Sequence, residues 1–449
     1  MDTLVLRRVV LAALLVACAN GPLASAAEAP AADSQVLLCG RLLDVSGQKV
    51  LENQAVVVAG ERIVSVDPAD RVRLPDGVET IDLRGFTCLP GLIDAHTHLV
   101  DRSDGGSYNW ASPLMTTGAE MAFHSIPNAR KTLLAGFTTV RDLGTYRAFV
   151  DVALRDAIDR GTVPGPRMQP AGAYVTISGG AGALTGFAPD VELPLELRFG
   201  QADGPDQVRQ RVREIARRGA GVIKVLATGA ILTLGSRPGG QEFTFEELRA
   251  AVEEAEKNGL KVAAHAHSPA GAKDAVRAGV ASIEHGSLLD DETLRLMKEH
   301  GTFLMCDALA SWNFWPGGTP EDAPEGYPPE FVDKEKISYA GYLKTLRRAI
   351  ELDVRIAYGT DAAVIPHGQN ARLFRTYVEA GMTPWQALRT ATTEAAELLG
   401  WQDRVGSVAA GQFADVVAVA GDPLADISLL EDVAFVMKGG TVYKRAAAP

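Results

Sequence analysis

The chain has 449 residues, 47% of them hydrophobic, enough for a barrel-sized domain and a smaller companion. Its formal charge of −12 argues against nucleic-acid binding, which a basic surface normally drives. Beyond an alternation of strand-like and helix-like segments, no internal repeat is visible.

The first residues read as an export signal. Arg7 and Arg8 precede VVLAALLVACA, which is too short for a membrane span, and ASA (24–26) offers a small-residue cleavage site. This predicts a signal peptide over 1–26 and a periplasmic or secreted mature chain. LVAC (15–18) also fits a lipoprotein box, so the alternative is a chain held to a membrane through a lipidated Cys18. Cleavage near Ala27 leaves Cys39, Cys88 and Cys306, an odd count that gives no disulfide framework. A Cys39–Cys88 bridge is the pairing considered.

CLPGLI (88–93) is short, apolar and bounded by Pro and Gly, the pattern of a buried strand. It runs into DAHTHL (94–99), which sets His96 and His98 two residues apart. In a strand, side chains at i and i+2 share one face, so the two imidazoles are paired donors for a borderline metal such as zinc. Further apolar runs follow: FTTV (137–140), RMQPAG (167–172), VIKVL (222–226), VAAHA (262–266), SIEH (282–285), TFLMC (302–306) and RIAYG (355–359). Amphipathic patterns over 205–219, 244–259, 290–301 and 335–353 separate the later ones. Several close on glycine, and the second opens with a capping box, Thr244 and Glu247. With DAHTH first and RIAYG eighth, the order predicts an α/β fold, a (β/α)8 TIM barrel, whose chemistry sits at the C-terminal strand ends. Lys224, His265, His267, His285 and Asp361 all fall near such ends. Singly, each has an ordinary reading: a satisfied core histidine, a snorkelling lysine, a helix-capping aspartate. Together they favour one site.

PGLIDAHTH, the lysine strand, the histidines of AHAHS and SIEHGS, and GTDA resemble the amidohydrolase superfamily, in particular its binuclear-metal branch. VLLCGRLLDVSG…RIVSVD (36–67) resembles the first half of that family's small β domain. GSVAAGQFADVVAVAGDPL (406–424) and VMKGGTVY (436–443) resemble its second half. The resemblance covers nearly all of the mature chain. It implies a small β-sandwich domain built from 34–88 and 401–449 beside a barrel over 89–400. GFTTVRDLG (136–144), GPR (165–167), AHAHS and SIEHGS look most like one group within the superfamily. That group holds Xaa-Pro and related dipeptidases, lysine/arginine carboxypeptidases, ochratoxin amidases and, more distantly, imidazolonepropionases.

The resemblance implies two divalent metal ions, zinc in the first instance. His96, His98 and Asp361 would hold one and His265 and His285 the other. A metal lowers the pKa of bound water to about 7 and so supplies the nucleophile that amide hydrolysis lacks. A protonated ammonium cannot ligate a cation, but burial depresses a lysine pKa. The resemblance therefore implies a carboxylated Lys224 that bridges the two ions. Asp361 would be the catalytic proton carrier. His267 shares a strand face with His265, so the ligand choice stays open, and the other becomes a substrate contact. Tyr174, Arg141 and His367 are further substrate-binding candidates. Arg141 is equally suited to the barrel's polar wall, and His367 to an ordinary loop position. His124 and His300 are expected outside the site.

One departure matters. Many relatives carry Gly-Gly-His after the third strand, where the histidine helps bind a substrate carboxylate, but this chain reads SGGAGA (178–183), with Ala181 in that place. Carboxylate recognition must be relocated or relaxed. The loops over 101–113 and 308–331 are expected pocket walls, with Trp312, Phe314 and Trp315 either contacting substrate or packing the loop down. The expected enzyme is an exported amidohydrolase releasing a C-terminal amino acid from dipeptides or N-acyl amino acids, including ochratoxin-type N-acyl-phenylalanine amides. A cyclic amidase, an imidazolonepropionase-like activity or a lactonase on the same site is the alternative. A non-enzymatic relative would show eroded ligands, and all are present. Barrel enzymes of this kind often form homo-oligomers, although no segment here marks an interface.

Overall fold

The computed structural model describes residues 34–73, 77–101, 112–188, 190–308 and 328–445. The signal segment with Cys18, most of the 101–113 loop, and Trp312, Phe314 and Trp315 lie outside the described residues.

Four strands open the described chain: β1 (Ser34–Asp44), β2 (Lys49–Ala59), β3 (Arg62–Pro68) and β4 (Glu79–Pro90). Eight more follow: β5 (Leu92–Thr97), β6 (Phe137–Asp142), β7 (Arg167–Pro170), β8 (Tyr174–Val175), β9 (Ile223–Leu226), β10 (Val262–Ala266), β11 (Ser282–His285) and β12 (Phe303–Met305). The last are β13 (Val416–Ala420), β14 (Val433–Lys438) and β15 (Thr441–Arg445).

Both chain ends share one seven-stranded sheet, ordered β15-β14-β13-β4-β1-β2-β3. Leu37, Leu42, Val56, Val58 and Ile81 pack with Val416, Phe435 and Met437 in a common apolar cluster. The sheet curls back on itself: Ile63 N in the edge strand β3 donates to Gln412 O, ahead of β13, at 2.9 Å, and Gln35 Nε2 in β1 donates to Gly440 O, in the turn between β14 and β15, at 3.1 Å. The expected sandwich is thus one hydrogen-bonded sheet folded over its own core. Cys39 and Cys88 are free and buried within it, so the bridge considered from the sequence is not formed.

The other strands form two parallel sheets, β5-β6-β7 and β8-β9-β10-β11-β12. The expected strand over 88–93 divides between two sheets: Pro90 ends β4 and Leu92 begins β5. Gly91 between them admits no side chain, since a Cβ there would lie 2.8 Å from Thr138 Cγ2.

The expected eight-stranded barrel is not present as one continuous ring of regular strands. The third strand changes partner part-way, β7 pairing with β6 and β8 with β9. Gly172 at the break has φ 76°, a left-handed conformation that ends regular pairing and that glycine accepts freely. The expected eighth strand stays irregular yet bonds to both neighbours. Leu304 N donates to Arg355 O at 2.8 Å on the β12 side, and Ala95 N donates to Tyr358 O at 2.8 Å on the β5 side.

The helices follow their amphipathic patterns: Pro205–Arg217, Phe245–Lys257, Asp291–His300 and Pro329–Glu351. The Thr244/Glu247 capping box is present in full. None of the described helices is long and apolar enough to cross a membrane.

Candidate active site

The site is assembled where the parallel strands end. Asp94, buried in β5, accepts hydrogen bonds from Thr360 Oγ1 (2.6 Å), Asn370 Nδ2 (2.7 Å), Thr360 N (3.1 Å) and His96 N (3.2 Å). Burial pushes its carboxyl up to about 6 in spite of these donors. The network ties the GTDA segment to β5. Asp94→Ala would strand several buried donors, and we expect the unfolding free energy to fall by about 3 kcal/mol in urea titration. Gly359 completes the approach: a Cβ there would stand 2.8 Å from His96 Cβ.

This junction sets Asp361 beside the β5 histidines. Asp361 Oδ1 lies 3.2 Å from His98 Nε2 and 3.6 Å from His96 Nε2. Ligand atoms of His96, His285 and Asp361 all fall within 4.8 Å of one another. His285 and Asp361 have φ 72° and 56°, unusual for residues other than glycine. In a regular strand, Glu284 and His285 would face opposite sides; the left-handed turn at His285 brings both inward. Such local strain persists at functional sites when the surroundings enforce it.

Each ring is held from behind. His98 Nδ1 lies 2.6 Å from Gly144 O, His285 Nδ1 lies 2.9 Å from Asp307 Oδ2, and His267 Nδ1 lies 2.9 Å from Ser287 Oγ. Partners of this kind orient metal-ligating imidazoles. The His265 and His267 rings lie 4.4 and 5.1 Å from His285, so both remain beside the cluster, and neither joins the tight group of three. Burial and the neighbouring imidazoles push both well below the ordinary histidine value.

Lys224 in β9 is buried, and that burial pushes it down to about 8 against the pull of Glu284 and Asp361. Burial alone would raise Asp361, but the surrounding His96, His98 and His285 hold it well below the usual carboxylate range. His96 Nε2 is buried without a hydrogen-bond partner. A neutral imidazole lone pair facing an ionised carboxylate is a donor set suited to a divalent cation, so these residues fit one.

The remaining candidates are spread around this centre. The Tyr174 hydroxyl donates to Gly144 O at 3.2 Å and lies 3.3 Å from His98 Nδ1, beside the cluster. His367 Nε2 lies 3.0 Å from Asp101 O, and burial pushes its ring down to about 4. Arg141 is turned into the interior. Its Nε donates to Ala95 O at 2.7 Å, Nη1 to Ser282 Oγ at 3.0 Å and Nη2 to Glu284 Oε1 at 2.8 Å, a polar-wall placement. Ala181 is buried, and its N–H donates to Glu242 Oε1 at 2.9 Å. His124 and His300 are exposed on helices. Sequence reasoning missed Glu284 and Asp307, both buried against the ligand histidines. The signal for Glu284 was present, a carboxylate inside the apolar SIEH strand.

Residues 87–443 match the model of the amidohydrolase family, and 45–87 match the NagA composite domain. The chain belongs to the amidohydrolase family. This amidohydrolase is 32% identical over 432 residues to the ochratoxinase of Aspergillus niger, covering 91% of the chain and 86% of that protein. A solved Xaa-Pro dipeptidase with methionine bound in its active site is 35% identical, with a TM-score of 0.85 over 92% of this chain and 100% of that one. A prolidase complexed with N-methylphosphonate-L-proline is 33% identical, with a TM-score of 0.83 over the same 92% and 100%. With such relatives, this amidohydrolase is an enzyme that hydrolyses C–N bonds.

Proposed function

We propose that this amidohydrolase holds two zinc ions and releases a C-terminal amino acid from dipeptides or N-acyl amino acids. The observation that carries the reading is the convergence of His96, His285 and Asp361 within 4.8 Å, with His98, His265 and Lys224 around them. In this reading the two parallel sheets are the walls of a (β/α)8 barrel. His96, His98 and Asp361 would hold one ion and His265 and His285 the other, with a carboxylated Lys224 as a further ligand. When bound, the metals polarise the scissile carbonyl and acidify the attacking water. Asp361, ionised beside His98, takes the proton released on attack and delivers it to the leaving amine. Tyr174, His267 and His367 are the polar side chains left for the substrate's carboxylate, since Ala181 offers none. Export, suggested by residues 1–26, suits an enzyme that scavenges peptides.

Zinc-loaded mature protein would be offered Xaa-Pro, Xaa-Arg, Xaa-Lys and Xaa-Phe dipeptides and N-acyl amino acids, with chelated enzyme as control. The expected result is chelator-sensitive release of one class of C-terminal amino acid. Metal-loaded protein that releases none would overturn the reading and turn attention to lactones and cyclic amides.

A further inference from the structure

Three side chains below the ligand cluster form a closed chain of contacts that the proposed reaction does not use. Glu284 and Arg141 are among the most buried charged residues, at 0% and 1% exposure. Arg141 comes from β6 and Glu284 from β11, on different sheets, so the pair spans the interior. Glu284 Oε1 is fully engaged: it accepts from Arg141 Nη2 at 2.8 Å and from the Ser282 hydroxyl. That leaves Oε2 2.9 Å from His96 Nδ1, a close approach between two buried polar atoms that are otherwise unpaired and short of hydrogen-bond alignment.

A carboxylate can only accept. A bare Nδ1 would set its lone pair against that carboxylate oxygen, so the 2.9 Å approach favours the ring proton on Nδ1 and the lone pair on Nε2, the atom facing Asp361. We propose that Glu284, clamped by Arg141 and Ser282, is the positioning residue that sets the tautomer and orientation of His96 for metal binding. This rests on the metal-dependent reading above. Arg141 thereby acts on the site through Glu284 rather than by touching substrate. A bland alternative is a core ion pair that only holds the two sheets together.

Glu284→Gln separates the two. The amide oxygen stays with the two donors, Arg141 and Ser282, so the amide NH2 faces His96 Nδ1 and drives the ring proton onto Nε2. Zinc affinity, read by chelator competition with metal content measured in parallel, is expected to weaken about 10–100-fold for one of two ions. The cobalt-substituted absorption spectrum of that site should change, while the metal-free fold keeps its circular dichroism. Because Arg141 acts through Glu284, the double variant Arg141→Gln/Glu284→Gln should bind zinc no more weakly than Glu284→Gln alone. Wild-type affinity for both ions in Glu284→Gln, or independent losses that multiply in the double variant, would overturn the proposal. Should Glu284→Gln not fold, Ser282→Ala decides it: a several-fold weaker ion is expected, and unchanged affinity overturns it. Wild-type protein that takes up no zinc would defeat the metal-dependent reading itself, a separate outcome.

Discussion

A Lys224→Met chain is expected to bind fewer than two zinc ions and to lose amide hydrolysis. Methionine fills nearly the same volume, so the buried β9 position is not emptied, and the loss reports chemistry rather than a cavity. The physical ground is the setting of the amine. Lys224 lies between Ile223 and Val225 in a fully buried strand, and that burial holds it down to about 8. A neutral amine is then accessible at mildly alkaline pH, as carbamate formation requires. Wild-type protein exchanged with carbon-13 bicarbonate should show a carbamate resonance that the variant lacks. Two bound ions with full activity in Lys224→Met would remove the lysine from the site.

Asp361→Asn is expected to lower kcat by about 10²–10⁴-fold while KM moves little, the range lost with a general acid–base group. Asparagine is the informative choice for a structural reason. Asp361 sits at φ 56°, a left-handed conformation that Asn tolerates and most residues do not. Asparagine retains shape and backbone but cannot take up the proton, and metal content measured in parallel separates that loss from loss of the ion Asp361 would hold. Alanine would add backbone strain and blur the result. A kcat within a few-fold of wild type in steady-state assays would transfer the proton-carrying role to another group. His267 would be the first to examine, with its Nδ1 2.9 Å from Ser287 Oγ.

Much of this molecule is legible in local pattern. The helices Pro205–Arg217 and Phe245–Lys257 announce themselves by amphipathic spacing and, in the second, by a capping box, all interactions within one turn. The candidate ligands are legible for a similar reason: histidines two apart at a strand end need only the strand's own period to share a face. Amidohydrolase membership and hydrolysis of C–N bonds were also readable from those motifs. Other features are not local. Gly172 interrupts the third strand because φ 76° there lets the chain leave β6 for β9, a switch between partners far apart in sequence. CLPGLI reads as one strand, yet it divides at Gly91, whose N–H donates to Asp415 O beside β13 while Leu92 N donates to Gly136 O beside β6, partners far away in sequence.

Arg141 shows the difference most clearly. By residue type it is as good a carboxylate binder as any in the chain, and only the placement of β6 across the interior from β11 turns its guanidinium onto Glu284 and Ser282. The sequence by itself therefore determined the family, the order of elements and the donor types, because periodicity, caps and short motifs act over a few residues. The tertiary structure alone decided how the sheets are interrupted and which buried charges stand behind the ligands. Pairing across the interior between the two parallel sheets depends on strands distant in sequence, and no local period encodes it.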